Sequence, residues 1–237
     1  MTIPPDDHLG FMAVQFHAKQ LGHAEAVVLL GNHPDSALIT RSMLEGLCLL
    51  KWARQDPVAR GLQWRSFSLV IDWRFANAEL QKGVDGMDAK LRELEERINE
   101  RGDALYSAKA IEARKKSLPL PVDPYVRTWY RPQLRQIFED VGAGDLYDGP
   151  YFFMSEWHHW SPGGLAQAMW FKDGEMGYAA KSPMVHAGAL ANGFQCLVET
   201  GQLLDAHFNL GHELEFAEMI NAYVAETTTT GFGADAE

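Results

Sequence analysis

The sequence contains only two cysteines, Cys48 and Cys196, in 237 residues. Both lie in apolar helical surroundings, so we expect buried, reduced thiols rather than a disulfide framework. A membrane-spanning run is also missing, because the most apolar stretch, residues 37–53, is short and contains three charged side chains. The N-terminus has neither the basic nor the apolar region of a signal peptide. These absences predict a cytoplasmic protein with no membrane association.

Positive charge is scarce in this chain. The sequence has 21 Lys and Arg against 32 Asp and Glu, which gives a formal net charge of −11 at pH 7. A global field of that sign repels phosphate backbones and argues against a dedicated DNA-binding protein. The short basic run at residues 112–117 is expected to be a solvated helix end, although it leaves RNA contact open.

The chain also lacks the motifs of common enzyme classes. It has no Gly-x-Ser-x-Gly, no phosphate-binding loop, no dinucleotide fingerprint, no His-Glu-x-x-His and no paired-cysteine motif. Glu156 and His159 have the Glu-x-x-His spacing of di-iron bundles, but a second Glu-x-x-His is missing. We therefore predict no cofactor and no metal site, and whether the protein is an enzyme stays open.

Nearly every long segment has helical periodicity, which predicts an all-α multi-helix bundle in a single domain over residues 1–226. The second helix, over about 34–55, is apolar nearly all round and should be central. Asp173-Gly174 lies between short aromatic-rich arms and predicts one small β-hairpin near 168–179. The low-complexity segment 227–237 is expected to be a disordered tail.

A highly charged segment, residues 85–116, is predicted to be one helix that projects from the body or pairs with a copy of itself. The three prolines of residues 117–124 should end it and form a linker. Its apolar residues form a narrow seam: Leu91, Leu94, Ile98, Leu105 and Ala108.

The candidate site begins with two charges on the second helix. Arg41 and Glu45 are four residues apart on an otherwise apolar helix, which predicts a buried or half-buried ion pair. Such a pair needs further polar partners from another helix. Tyr151, Ser155 and His159 lie four residues apart in a short helix over about 149–160 and could supply them. The cluster is either a structural network or the floor of a polar cavity.

Two motifs carry a resemblance to a known family. "RSMLE" (41–45) and "LRQIFEDVGAGDLYDGPYFFMSEWHH" (134–159) resemble the uncharacterised prokaryotic helical domain-of-unknown-function family 5677. The resemblance covers about 25–160, and its Arg-Ser-x-x-Glu and Tyr-x-x-x-Ser-x-x-x-His motifs fall on Arg41, Ser42, Glu45, Tyr151, Ser155 and His159. It implies that these residues act as a group, and it implies no reaction.

We hypothesise that Arg41 holds a small anionic or nucleotide-like ligand, with hydrogen bonds from Tyr151 and Ser155. His159 and Glu45 are the catalytic candidates: His159 would transfer a proton, and Glu45 would orient Arg41. An enzyme of this kind would carry out hydrolysis or phosphoester chemistry. The alternative is a non-catalytic interaction protein, a homodimer or partner-binding protein that uses the helix at 85–116, with a purely structural polar cluster.

Overall fold

The computed structural model describes residues 2–166, 168–179 and 181–229. Over these residues the regular structure is helical except for one two-stranded hairpin, which confirms the predicted all-α fold with a small hairpin. The elements are α1 (His8–Leu30), α2 (Ser36–Arg54), α3 (Pro57–Gln81), α4 (Met87–Asn99), α5 (Ala108–Lys115), α6 (Leu134–Asp140), α7 (Gly144–Leu146), α8 (Phe152–His158), α9 (Pro162–Ala166), β1 (Met169–Lys172), β2 (Glu175–Tyr178), α10 (Pro183–Phe208) and α11 (Glu213–Thr229). None of the helices in this part of the chain is both long and apolar enough to cross a bilayer.

The end of the chain differs in part from the expected tail. Helix α11 continues to Thr229. The remaining residues of the predicted tail 227–237, residues 230–237, lie outside the described residues.

Contacts divide the chain into two compact units. Unit 1 comprises the described residues of Met1–Met12 and Trp52–Gln136, and unit 2 comprises those of Ala13–Lys51 and Ile137–Glu237. Helices α1 and α2 therefore contribute residues to both units. A single domain over 1–226 stays a prediction.

Two of the long helices begin with the same local signal. Asp56 precedes Pro57 at the start of α3, and its side chain accepts a hydrogen bond from a first-turn N–H. Ser182 precedes Pro183 at the start of α10 and caps it in the same way. Because proline has no N–H and a fixed φ, it fits the first helical position, where an N–H would have no partner within the helix. The sequence therefore fixes where these helices begin.

The segment at 85–116 is not one helix, which corrects the prediction. Helix α4 ends at Asn99, a 3₁₀ turn follows at Gly102–Leu105, and α5 begins at Ala108. Gly102 has φ +69°, a left-handed conformation that interrupts the helix and that glycine adopts without strain.

The apolar seam of this segment lies inside unit 1 rather than on its surface. Most of its residues join one buried cluster with residues of α3 and two tyrosines; the cluster comprises Leu69, Val70, Trp73, Ala76, Leu91, Leu94, Ile98, Leu105, Tyr106, Ala110 and Tyr125. The Trp73 and Tyr125 rings meet edge to face with centroids 5.0 Å apart. The proline-rich segment 117–124 is also held in place, because Pro124 O accepts from Ser107 N at 2.8 Å and Asp123 pairs with Arg74 at 2.8 Å.

Unit 2 is organised by the packing of α10 against α2. Thr40 Oγ1 donates to Ala189 O at 3.1 Å, and Lys51 pairs with Glu199. Cys48 and Cys196 are free and fully buried, as expected from their apolar surroundings. Helix α2 therefore has its apolar residues in the core of this unit, and its few polar residues must find partners.

The hairpin confirms the predicted turn. β1 pairs antiparallel with β2, with Lys172 opposite Glu175. Asp173 has φ +54° and Gly174 has φ +80°, and a two-residue turn of this type needs positive φ at both positions. Asparagine, aspartate and glycine are the residues that tolerate this conformation, which is why the dipeptide predicts the hairpin.

Candidate functional site

Tyr151 and Ser155 are positioned by an irregular helical segment. Tyr147–Tyr151 forms a π-helical turn that leads directly into α8 and contains Pro150. The Tyr151 ring stacks on Tyr147 at 5.0 Å and packs against Phe138 at 5.3 Å. A π-helical turn widens the helix locally, and such turns occur frequently at functional sites. The ring packing fixes where the Tyr151 hydroxyl lies.

Four polar side chains of unit 2 form one hydrogen-bonded network. Arg41 donates from Nε to Ser155 Oγ at 2.9 Å and from Nη2 to Tyr151 OH at 2.7 Å. Nη2 also lies 3.0 Å from Glu45 Oε1, to which Tyr151 OH donates at 2.8 Å. Ser155 Oγ donates to the backbone oxygen of Tyr151 at 2.8 Å. Each of these four side chains is therefore held in position by hydrogen bonds to the others.

The network explains how α2 tolerates two charges. The Arg41 and Glu45 side chains are 20% and 29% exposed, and Tyr151 is 6% exposed. A partly buried ion pair is tolerated when additional hydrogen bonds compensate for lost hydration, and Tyr151 and Ser155 supply these. Burial, and then the hydrogen bond to Glu45, raises the pKa of Tyr151 to about 12. The phenol is therefore a neutral donor and acceptor at pH 7.

The side chain of His159 does not join these four residues, in contrast to the predicted line of three. His159 is the C-cap residue of helix α8, and its backbone N–H still donates to Ser155 O at 2.9 Å. The His159 side chain is exposed, and its ring packs against the ring of His158 with centroids 4.9 Å apart. Within the described residues, no side-chain hydrogen bond joins it to the network.

A small pocket adjoins the network at Glu45. It has a volume of about 140 Å³ and lies between α1 and α2. Its lining residues are Phe16, Lys19, Gln20, His23, Ser42, Glu45, Gly46 and Leu49. Glu45 is the residue that the pocket and the network share. The network therefore fixes the position of a carboxylate that also lines the pocket.

Within the residues that the structure describes, two residues of the pocket keep a buried polar atom without a partner. Gln20 is 3% exposed and donates from Nε2 to Met43 O at 2.9 Å, but its Oε1 accepts no hydrogen bond. Nε2 of His23 is also buried and unpaired. Burial, and then the charge of Lys19, lowers the pKa of His23, so this imidazole is neutral at pH 7. Because a buried unpaired polar group costs about 1–3 kcal/mol, both atoms would gain from a hydrogen-bonding partner.

Sequence reasoning did not find the α1 side of this pocket. Phe16, Gln20 and His23 are separated by four and three residues, so they share one face of α1. A glutamine and a histidine interrupting an apolar face were the available signal. Ser42 was part of the Arg-Ser-x-x-Glu motif, but no role was assigned to it. Among the described residues, no group of three or more His, Cys, Asp or Glu could hold a metal ion.

Comparison with known proteins identifies a family. A family model described as "Family of unknown function (DUF5677)" matches residues 10–176, which include both sides of the pocket and the whole network. No curated protein and no solved structure matches the chain.

Proposed function

This chain belongs to DUF5677, a family of unknown function, and we propose that it binds a small anionic ligand that also carries an N–H or O–H donor. The site is the pocket between α1 and α2 beside Glu45. The observation that carries the proposal is that Gln20 and His23 line this pocket and that, among the described residues, each keeps a buried polar atom without a partner. Either atom would be satisfied by a ligand with matching groups.

The ligand needs a donor because two of the pocket groups only accept. The Gln20 Oε1 atom is an amide oxygen, and Glu45 is a carboxylate. Neither can donate a hydrogen bond to a fully deprotonated anion, and a carboxylate repels one. A hydroxyl or amine on the ligand removes this conflict.

The negative charge of the ligand is matched by Lys19. The charge of Glu45 is already balanced by Arg41 at 3.0 Å. Lys19 lines the pocket, and within the described residues no carboxylate pairs with it. The pocket is therefore left with one uncompensated positive charge, and the Ser42 hydroxyl can donate to the same anionic group.

The size of the pocket limits the ligand. Sites for drug-sized molecules usually have volumes of about 300–1,000 Å³, so a pocket of about 140 Å³ suits a molecule of a few heavy atoms. A nucleotide-like ligand would enter by one end only. Arg41, Tyr151 and Ser155 do not line this pocket and act as positioning residues for Glu45. No proton-transfer step is part of this proposal.

The test compares two probes by ¹H–¹⁵N NMR titration at millimolar concentration. Glycolate carries a carboxylate and a hydroxyl, whereas acetate has the same charge and no hydroxyl. We expect glycolate to shift the backbone amides of Gln20, Ser42 and Gly46 and to bind about tenfold more tightly than acetate, because acetate leaves the acceptors unpaired. Equal affinities would refute the donor requirement, and no shift with either probe would refute the site.

A matched pair of variants separates pocket binding from general electrostatics. Lys19→Ala removes the pocket cation, whereas Lys172→Ala removes an exposed cation of the hairpin, also in unit 2. We expect glycolate binding to be lost in the first variant and unchanged in the second. Equal weakening in both would indicate a diffuse charge effect rather than a site.

The alternative, a non-catalytic protein that dimerises or binds a partner through residues 85–116, stays a prediction that no exposed apolar seam supports. Leu91, Leu94 and Ile98 are buried in the core of unit 1, so α4 has no free apolar seam for a second copy. We therefore propose no second function for this segment.

A further inference from the structure

Unit 1 contains a larger pocket that shares no residue with the site beside Glu45. Its volume is about 580 Å³, within the usual range for sites of drug-sized molecules. It lies between the start of α5 and the loop at residues 121–131, and its lining residues are Tyr106, Ser107, Ala108, Lys109, Pro121, Asp123, Tyr125, Val126, Arg127, Thr128, Tyr130 and Arg131.

The charge of this part of the chain is opposite to that of the whole. Residues 101–131 contain seven Lys and Arg and three Asp and Glu, a formal net charge of +4, whereas the complete chain has −11. A local field of this sign inside an acidic protein concentrates anions at one place.

The cations at the pocket are available to a ligand. Within the described residues, neither Lys109 nor Arg127 has an ion-pair or hydrogen-bond partner, and both are exposed. Arg131 bonds only to backbone, donating from Nη2 to Asp103 O at 3.0 Å and to Ala104 O at 3.4 Å, so its charge stays uncompensated.

Among the described residues that line this pocket, the single carboxylate is already neutralised. Asp123 accepts from Arg74 Nε at 2.8 Å, and Arg74 is fixed further by a bond to Val126 O at 2.9 Å. Three uncompensated cations therefore surround the pocket. Tyr106 and Tyr125, both almost fully buried with ring centroids 5.2 Å apart, supply an apolar part of its lining.

We propose that this pocket binds a phosphate-bearing small molecule of nucleotide size, with its phosphates held by Lys109, Arg127 and Arg131. Arginine and lysine are the usual partners of phosphate oxygens, and charge-assisted bonds of this kind are roughly twice as strong as neutral ones. The pocket volume accommodates a base and a sugar beside the tyrosines. A single phosphate would leave that part of the pocket empty. The inference does not depend on the function proposed for the site beside Glu45.

Isothermal titration calorimetry of the full chain with ATP, pyrophosphate and adenosine tests this inference. We expect ATP and pyrophosphate to bind and adenosine to bind far more weakly, because the cations recognise the phosphates. The double variant Lys109→Ala/Arg127→Ala should weaken ATP binding by about tenfold or more. Both side chains are exposed and unpaired, so their removal should leave the fold intact, which circular dichroism checks.

The matched control is Lys115→Ala/Lys116→Ala, which removes two charges from the same segment at residues that do not line the pocket. We expect it to change ATP affinity by less than about twofold, since exposed charges that do not line the pocket are partly screened by salt. Equal weakening by both double variants would overturn the site. Absence of ATP binding by the wild-type chain would also overturn it. So would a single-stranded RNA that binds more tightly than ATP, if both double variants weaken RNA binding equally.

Discussion

Replacing Tyr151 by phenylalanine tests the polar network of unit 2. The substitution keeps the ring and its packing against Tyr147 and Phe138 but removes the hydroxyl. The lost contacts are the bond from Arg41 at 2.7 Å and the bond to Glu45 at 2.8 Å. The direct contact of Arg41 with Glu45 at 3.0 Å remains, so the ion pair is weakened rather than broken.

The expected loss of stability follows from these contacts. A hydrogen bond to a charged group contributes about 1.5–3 kcal/mol. Two such bonds are lost, but the Arg41 and Glu45 side chains are partly exposed and can recruit water. We therefore expect Tyr151→Phe to lower the free energy of unfolding by about 2 kcal/mol at pH 7, measured by urea unfolding at constant temperature.

The pH dependence gives a sharper test. The fold raises the pKa of Tyr151 from 10.0 to about 12, so the folded state holds this proton more tightly than the unfolded state. The associated stability is fully present below pH 10 and is lost as the pH rises through 12. Near pH 11 the wild type should have lost about 1.4 kcal/mol of unfolding free energy from this group, whereas Tyr151→Phe has none to lose. The difference in unfolding free energy between the two proteins should therefore fall to about a third of its value at pH 7.

Other groups with raised pKa titrate in both proteins, so their effects cancel in the difference. Tyr178→Phe is the control, because Tyr178 is exposed on the hairpin and its loss should change stability little at either pH. If the difference in unfolding free energy between wild type and Tyr151→Phe is the same at pH 7 and pH 11, the conclusion that the Tyr151 phenol is buried and hydrogen-bonded is refuted.

Three further predictions concern packing. Leu94→Ala should cost about 2–5 kcal/mol of unfolding free energy without changing the sedimentation profile, and altered self-association would show that the seam is shared between copies. Gly201→Ala should lower the thermal midpoint of unfolding, because its Cβ would lie 2.8 Å from an aromatic ring of α11. Gly188→Ala should raise the midpoint, because Gly188 has open space beside it on the same helix. A similar shift in both variants would contradict this packing. Cys48 and Cys196 should resist thiol reagents at pH 8 until urea is added, because burial raises the pKa of both thiols, that of Cys48 to about 12; rapid labelling of the folded protein would contradict their burial.

Periodicity predicted that nearly every long segment is helical, and residues next to each other in the chain set several boundaries. The boundaries at Asp56-Pro57 and Ser182-Pro183 depend on neighbouring residues only, and so does the turn at Asp173-Gly174. The break near Gly102 was missed because the apolar seam keeps its spacing on both sides of the 3₁₀ turn. A periodic pattern does not show where the backbone leaves the helix between two periodic parts.

The network was also partly predictable, for a different reason. Two charges on an apolar helix require polar partners, and this requirement identified Tyr151 and Ser155. His159 was included because helical spacing places it one turn after Ser155, but its side chain is exposed and its ring packs against His158 instead. The α1 side of the pocket was missed because Gln20 and Ser42 are brought together by the packing of two helices, which no local pattern describes.

A crystal structure of the protein soaked with glycolate tests the proposed ligand site. We expect density for glycolate in the pocket between α1 and α2, with its carboxylate near Lys19 and Ser42 and its hydroxyl bonded to Glu45 or Gln20 Oε1. The Arg41–Glu45–Tyr151–Ser155 network should be unchanged around it. Only ordered water in the pocket, or glycolate bound elsewhere, would contradict the proposal that this is a ligand site.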